Sequence, residues 1–245
     1  MSKWGSDDGF LLVDGYDLAG VSTALEDTVE AMTEDTMGIG DSWPEPEYVG
    51  LKQWSLTQQG FYNDAADSVN AALNGSQGAQ RVVCYGFEGS TPGKRFVGAS
   101  GAVEVDYHRV ISRGELHKAN ANYQGSGRVW EGVILHELST ETADGDTEGA
   151  DSVDNGASSA NGGVWFVQVP ALSLGGHTNL TVKLRHSADD ITYADKDTAT
   201  AVTSAPAVEA RTVAGTINRY TACSWDFTGA GSGPSARFFV GLARG

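Results

Sequence analysis

The stretch VGLKQWSLTQQGFY, residues 49–62, decides the fold class. Trp54 and Leu56 fall on one side of an extended chain, and Gln53, Ser55, Thr57 and Gln59 on the other. That period of two belongs to a strand with one dry and one wet face. GAVEVDYHRVI (101–111) repeats the pattern, with Val103, Val105 and Tyr107 on one face and Glu104, Asp106 and His108 on the other. GRVWEGVILHEL (127–138) reads as its partner strand, and ELHKANANYQGSG (115–127) as the long connection between them. RVVCYGF (81–87) and KRFVGAS (94–100) are shorter strands around the turn EGSTPG. One helix is expected, over 64–74 in NDAADSVNAALNG, with Asp64 as its N-cap, a stripe of Val69, Ala72 and Leu73, and Gly75 at its end. A strand near 27–34 precedes EDTMGIGDSWPEPEYVG, a Gly/Pro/acid loop (35–48) long enough to suggest a function. After residue 160 strand signals recur at short, regular spacing, beginning with VWFVQVPAL (164–172) and NLTVKLRHS (179–187) and ending with ARFFVGLA (236–243). Such spacing reads as a β-sandwich. The fold class is therefore all-β with one short helix.

Charge divides the chain. Residues 1–80 hold 14 acids against 2 bases, and residues 139–160 hold 6 acids and no base, within a net charge of −16. So acidic a surface repels phosphate and excludes a conventional nucleic-acid grip, although a polyanion could slide past it. The use of 10 Arg but only 6 Lys also suits adaptation to high salt, where screening makes acidic surfaces tolerable. No apolar run approaches the ~18 residues of a membrane-spanning helix, and the start, MSKWGSDDGF, has no signal-peptide core. Cys84 and Cys223 are expected to be two buried thiols.

Several motifs invite catalytic or metal readings and fail them. DGDTEGADSVDNG (144–156) offers acids at the first, third and fifth positions of a calcium loop and Gly149 at the sixth. Asn155 stands where the bidentate carboxylate belongs, and strands flank the segment instead of helices. It reads as an exposed acidic linker, 139–160, with weak cation binding at 144–154 the remaining option. HELST (136–140) lacks the second His of a zinc helix. GSTPGKR (89–95) is one residue short of a phosphate loop and has Arg95 in place of the Ser or Thr. No nucleophile–base arrangement is legible among the five His residues, so no catalytic residue, metal site or cofactor is expected.

The order of signals carries a resemblance. GFLLVDGYDLAG is followed by EDTVEAMTEDTMG, the long loop, GLKQWSLTQQGFY, one short helix and a long hairpin. This resembles the major tail tube proteins of long-tailed viruses of bacteria and archaea. The stretches VDNGASSANGGVWFVQV, LTVKLRHSADDITYAD, GTINRYTACSW and FFVGLARG are similar to the half appended to many such virion proteins. The resemblance implies a tail-tube-type β-barrel or sandwich domain over 1–138 and a second, outer β-sandwich domain over 161–245, joined by the linker. The core patterns on either side of the linker look self-contained, so 1–138 is expected to fold and assemble without 157–245. Copies would close into rings, six-fold, and stack into a tube through which DNA leaves the capsid without specific binding. The partners implied are the chain itself, tail terminator and tail tip proteins and the tape-measure protein, in a virion tail assembled in the host cytoplasm, with no membrane. Gln53, Ser55, Thr57, Gln59, Glu104 and Asp106 would face the lumen. Asp41, Trp43, Glu45 and Glu47, on the loop, would reach the next ring. The acidic, low-lysine composition points to a haloarchaeal virus. The competing reading is a virion decoration or adhesion protein that binds glycans through Trp4, Trp43 and Trp165.

Overall fold

The computed structural model describes residues 9–35, 46–65, 68–125 and 127–245. It is nearly all β, 61% strand, in antiparallel sheets, with one short α-helix among the described residues. In chain order the strands are β1 (Phe10–Val13), β2 (Tyr16–Asp17), β3 (Ser22–Asp35), β4 (Pro46–Phe61), β5 (Gln80–Gly86), β6 (Arg95–Val110), β7 (Lys118–Gly125) and β8 (Val129–Glu141). Then come β9 (Gly145–Asp146), β10 (Val153–Asp154), β11 (Gly163–Ser173), β12 (Asn179–Ser187), β13 (Ala194–Thr198), β14 (Ala207–Val213), β15 (Tyr220–Thr228) and β16 (Ser235–Arg244). The helix α1 (Val69–Leu73) precedes β5.

The long strand β6 is the junction of the molecule. Its first half, Arg95–Ala99, pairs with Val129–Val133 of β8, and its second half, Ala102–Val110, pairs with β7. On its other side lie β5, β1 and β2. From β8 the same sheet continues through β16 and β11 to β14; from β7 it continues through β4 to β3. A second sheet of five strands stacks on the C-terminal part, with β15 pairing to β12 and both β9 and β10 pairing to β15.

Three expectations need correction here. The segment 115–127 is not a connection but contains β7, bonded to both β4 and β6. Its inward residues are Ala119, Ala121 and Tyr123, and two alanines are too weak a hydrophobic signal to mark a strand. The segments 94–100 and 101–111 are one strand rather than two, and 127–138 pairs with the earlier of them, not the later. The helix is shorter than 64–74: Ser68 is the N-cap position, without a side-chain capping bond, and Asp64 lies outside the helix and is exposed.

The acidic stretch is also not a free linker. Gly145–Asp146 and Val153–Asp154 are short strands held against β15. Asp144 accepts the Phe227 amide at 2.7 Å, and Asp154 accepts both Arg219 Nε and Nη2, at 2.7 and 2.6 Å. Glu148 meets Arg185 at 3.0 Å. These carboxylates fasten the stretch to the second sheet, Asp154 and Glu148 through arginines and Asp144 through a backbone amide. The bond from Arg219 is the main cause that lowers the Asp154 carboxyl to about 2.

Three apolar clusters fill the interior. The first lies between β1, α1, β4, β5, β6 and β7 and includes Leu11, Val13, Trp54, Leu56, Leu73, Tyr85 and Tyr123. A second fills the C-terminal sandwich, where Trp165, Phe238 and Val240 of one sheet face Val182, Leu184, Trp225 and Phe227 of the other. The third joins the halves: Phe10, Leu12, Cys84, Phe96 and Ile134 pack with Val164, Phe166 and Phe239. Strand β1 is buried on both faces because its alternate residues serve the first and third clusters. Phe96 sits at the hub, 5.7 Å from the Phe166 ring and 5.6 Å from Phe239. Gly98, Gly132 and Gly241 make that possible, since a Cβ at any of them would come within 2.7 Å of Phe96 or Phe166. The turn Asp14–Gly15, with φ of 48° and 83°, closes the β1–β2 hairpin and delivers the Gly15 amide to Gln168 Oε1 at 2.7 Å. Asp17 reaches Arg237 at 2.7 Å. The sheet, the third cluster and these polar ties all cross the expected boundary near residue 139.

Cys84 and Cys223 are buried and free, and burial pushes both thiols up to about 12.

Candidate assembly surface

The four strands β3, β4, β7 and β6 form a sheet with one dry and one wet face. Trp54, Leu56 and Gln58 of β4 and Ala119, Ala121 and Tyr123 of β7 are buried. The opposite face carries Gln53, Ser55, Thr57 and Gln59, as the alternation of 49–62 anticipates. Register aligns the polar residues across the strands. Glu26 pairs with Thr57, Thr28 with Ser55 and Glu30 with Gln53. Thr57 pairs with Asn122, Gln59 with Asn120 and Ser55 with Gln124. Across β6, Asp106 pairs with Asn122 and His108 with Asn120. The pairing becomes a hydrogen-bonded row, in which Thr57 Oγ1 donates to Asn122 Oδ1 at 2.8 Å and Asn122 Nδ2 donates to both Asp106 oxygens at 3.0 Å. Such rows fix the direction of short polar side chains that would otherwise rotate freely.

Glu104 does not belong to this face. The register shifts between Glu104, opposite Tyr123, and Asp106, opposite Asn122, leaving Val105 as the extra residue of a β-bulge. The bulge breaks the period of two, so Glu104 turns inward beside Tyr123 and Val105 is 41% exposed. The sequence pattern placed both on the reverse sides. Glu104 is fully buried and accepts from Ser76 Oγ at 3.1 Å, Gln77 Nε2 at 3.3 Å and Arg81 Nη2 at 3.3 Å. Arg81 in turn bonds Asp14 at 2.7 Å and the Ala72 carbonyl at 2.7 Å. Burial raises the Glu104 carboxyl above its ordinary value and the Arg81 guanidinium opposes that shift. The cluster ties β6 to β5, to the β1–β2 turn and to the end of α1. Its sequence signal, an acid spaced two from another acid, is indistinguishable from a solvated strand face.

The edges of this sheet are open. Among the described residues β3 pairs only with β4. Beyond the bulge, Val105–Val110 of β6 bonds to β7 on one side and, among the described residues, has no strand on the other. The dry side of β3 is tied back by a chain of bonds, from Trp54 Nε1 to Tyr85 OH and from Tyr85 OH to Asp27, each 3.0 Å. Because β7 covers only Ser55–Phe61 of β4, the outer parts of β3 and β4 continue past the sheet as a two-stranded ribbon. Of the expected loop residues, Asp41, Trp43 and Glu45 lie outside the described residues. Glu47 is within β4, opposite Glu34, so the strands consume both ends of the 35–48 loop.

Among the described residues no three His, Cys, Asp or Glu side chains gather as a metal site. The glycan reading loses its described aromatic, since Trp165 is fully buried with its Nε1 bonded to Asp197 at 2.9 Å. Trp4 and Trp43 lie outside the described residues.

No family model matches the chain, and no curated protein matches it. Among solved structures, it aligns with a chain of the tail of an empty gene transfer agent particle, refined helically in C6 symmetry. That alignment has 15% identity, covers 52% of this chain and 97% of that one, and has a TM-score of 0.39. The virion of a native gene transfer agent particle gives 14% identity over 52% and 97%, with a TM-score of 0.38. The SPP1 Dit protein, described as a paradigm of the hub adsorption apparatus in phages infecting Gram-positive hosts, gives 10% identity over 97% and 99%, with a TM-score of 0.35.

Proposed function

We propose that this chain is a structural, non-enzymatic virion protein, a subunit of stacked rings forming a viral tail tube. One observation carries the proposal: a sheet with a polar face and, among the described residues, two unpaired edges. An open edge invites another strand, and a protein that leaves two of them long needs a partner that closes both. Strand β6 runs antiparallel to β3 within the subunit. Rotation about a ring axis preserves those directions, so β6 of one copy meets β3 of the next as an antiparallel pair. Repetition closes the four-stranded sheets into one barrel and leaves no edge.

The wet face then lines the channel. Asn, Gln, Ser and Thr offer no cation to hold phosphate, Asp106, Glu26 and Glu30 repel it, and Lys118 stands only at the rim of the face, so DNA would pass with little adhesion. The ribbon of β3 and β4 would extend toward the next ring, carrying Asp41, Trp43 and Glu45. Residues 161–245 would form the outer part, and tail terminator, tail tip and tape-measure proteins would meet the tube along its length and at its ends.

Sedimentation and negative-stain microscopy across a salt series test this. Screening relieves repulsion between subunits of net charge −16, so rings or hollow tubes should appear as salt rises. A chain that stays monomeric from low to molar salt overturns the proposal.

A further inference from the structure

Two apolar features at one end of the sheet have no partner among the described residues. Ile111 is 77% and Leu116 70% exposed, on either side of the tip that joins β6 to β7. At the start of β3 there is a pocket of about 230 Å³ lined by Phe10, Leu11, Ala19, Ala24, Leu25 and Phe87, with Phe87 itself exposed. That volume is below the ~300–1,000 Å³ of ordinary small-molecule sites and suits inserted side chains.

Register places both features at the same level and on the same side of the sheet. Val110 pairs with Lys118, Lys118 with Phe61, and Gly60 with Ser22, so the end of β6 and the start of β3 share one end of the sheet. Lys118 is exposed at the edge of the wet face, and Arg109 pairs with the buried Ala119. Continuing that alternation brings Ile111 to the dry side, the side on which Leu25, opposite buried Gln58, lines the pocket. Within one subunit β7 and β4 separate tip from pocket. Between neighbours in the proposed ring, β6 and the next β3 are adjacent, and their antiparallel direction brings these two ends together.

We infer that Ile111 and Leu116 at the β6–β7 tip of one subunit dock into the pocket at the start of β3 in a second copy of this chain. The inference rests on the ring reading and adds to it a side-chain contact outside the barrel wall. Edge pairing alone recognises any strand, whereas an apolar plug in a pocket selects register and partner.

Ile111→Cys and Leu25→Cys, made in separate chains, test the contact. Both native thiols are buried, which leaves the new ones to react. The two variants are mixed at equal amounts, assembled in salt, imaged and then oxidised. A covalent dimer of the two variants is expected, absent when Ile191→Cys, at the far exposed loop, replaces Ile111→Cys. Rings or tubes without the 111–25 dimer overturn the contact and leave the tube reading standing. Failure of the parent chain to assemble overturns both. In parallel, Ile111→Asp with Leu116→Asp should raise the concentration needed for assembly at least about tenfold, comparable to losing one buried aliphatic side chain. The melting temperature of the unassembled chain should not change. Assembly at the parent concentration would overturn the contact.

Discussion

The C-terminal sandwich and the β3–β4–β7–β6 sheet differ in how much of their surface the chain itself completes. In the sandwich, large side chains from both sheets meet, and the short strands β9 and β10 cover one edge of β15. Its acids have partners, Asp154 with Arg219, Asp197 with Arg211 and Asp195 with Lys183 and Arg185. The N-terminal sheet has one face filled and one bare, two open edges, and acids such as Glu26 and Glu30 exposed. One region is finished by folding; the other, in the proposed ring, would be finished by more copies of itself. What joins them is the cluster around Phe96, which belongs to both.

Breaking that cluster should have the largest effect. Phe96→Ala removes a fully buried ring at the contact of the two regions and should cost ~3–5 kcal/mol in urea unfolding. The parent should unfold in one transition, with tryptophan fluorescence and circular dichroism coinciding, because neither region has a whole core without the other. For the same reason a chain of residues 1–138 alone lacks Val164, Phe166 and Phe239 and should fail to fold. Two separate transitions, or a folded fragment, would show that the regions are independent domains after all.

Glu104→Lys comes next. On a solvated face it would be harmless; in its buried position it sets a second cation against Arg81 and should cost ~3–5 kcal/mol. Glu104→Gln keeps the shape and hydrogen-bonding capacity and should cost much less, and its melting temperature checks the difference.

Acid should separate the two regions by sign. Asp189, in the turn after β12, accepts the Thr192 and Ile191 amides and the Ser187 hydroxyl, which lower its carboxyl to about 2. A depressed carboxylate contributes stability above its unfolded value of ~3.9 and loses it as pH falls through about 2. Glu104, raised by burial, has the opposite sign: protonation favours its folded form, and that contribution fades as pH rises through its folded value. Asp189→Asn should therefore flatten the loss of stability between pH 4 and 2, whereas Glu104→Gln should leave that window unchanged and act only above pH ~4.3, where it removes the stability that protonation of Glu104 adds on acidification. Equal slopes in both variants and the parent would dismiss the distinction.

The smallest effect on folding, and the sharpest on the proposed channel, belongs to Asp106→Lys. Asp106 is exposed, so stability should change within about ±0.5 kcal/mol. Tubes should still form, but should now retain DNA in a low-salt mobility assay that the parent passes. No gain of DNA binding would place Asp106 off the channel.

The wet and dry faces of β4 were legible because its partners on both sides keep an unbroken register over Ser55–Gln59. For β6 the same reading failed at one residue: the bulge at Val105 leaves no mark in a run of alternating Val and acid, yet it moves Glu104 from channel candidate to buried anchor. β7 was hidden because its inward positions are mostly Ala, which buries well only when a larger neighbour such as Trp54 or Tyr123 fills the space above it. The stretch 139–160 was hidden because acid-rich Gly/Asp sequence is ordinarily solvated, and only Arg185, Arg219 and the amide of Phe227, all distant in sequence, give its carboxylates a reason to stay.

By itself, then, the sequence determined the all-β class and the amphipathic strands, because each follows from the order of neighbouring residues. Only the tertiary structure decided that β6 holds both halves together, which acids are buried, and which strand edges stay open. Those depend on pairings between residues as far apart as Phe10 and Phe239, whose rings lie 5.2 Å from each other, and no local pattern encodes such a distance.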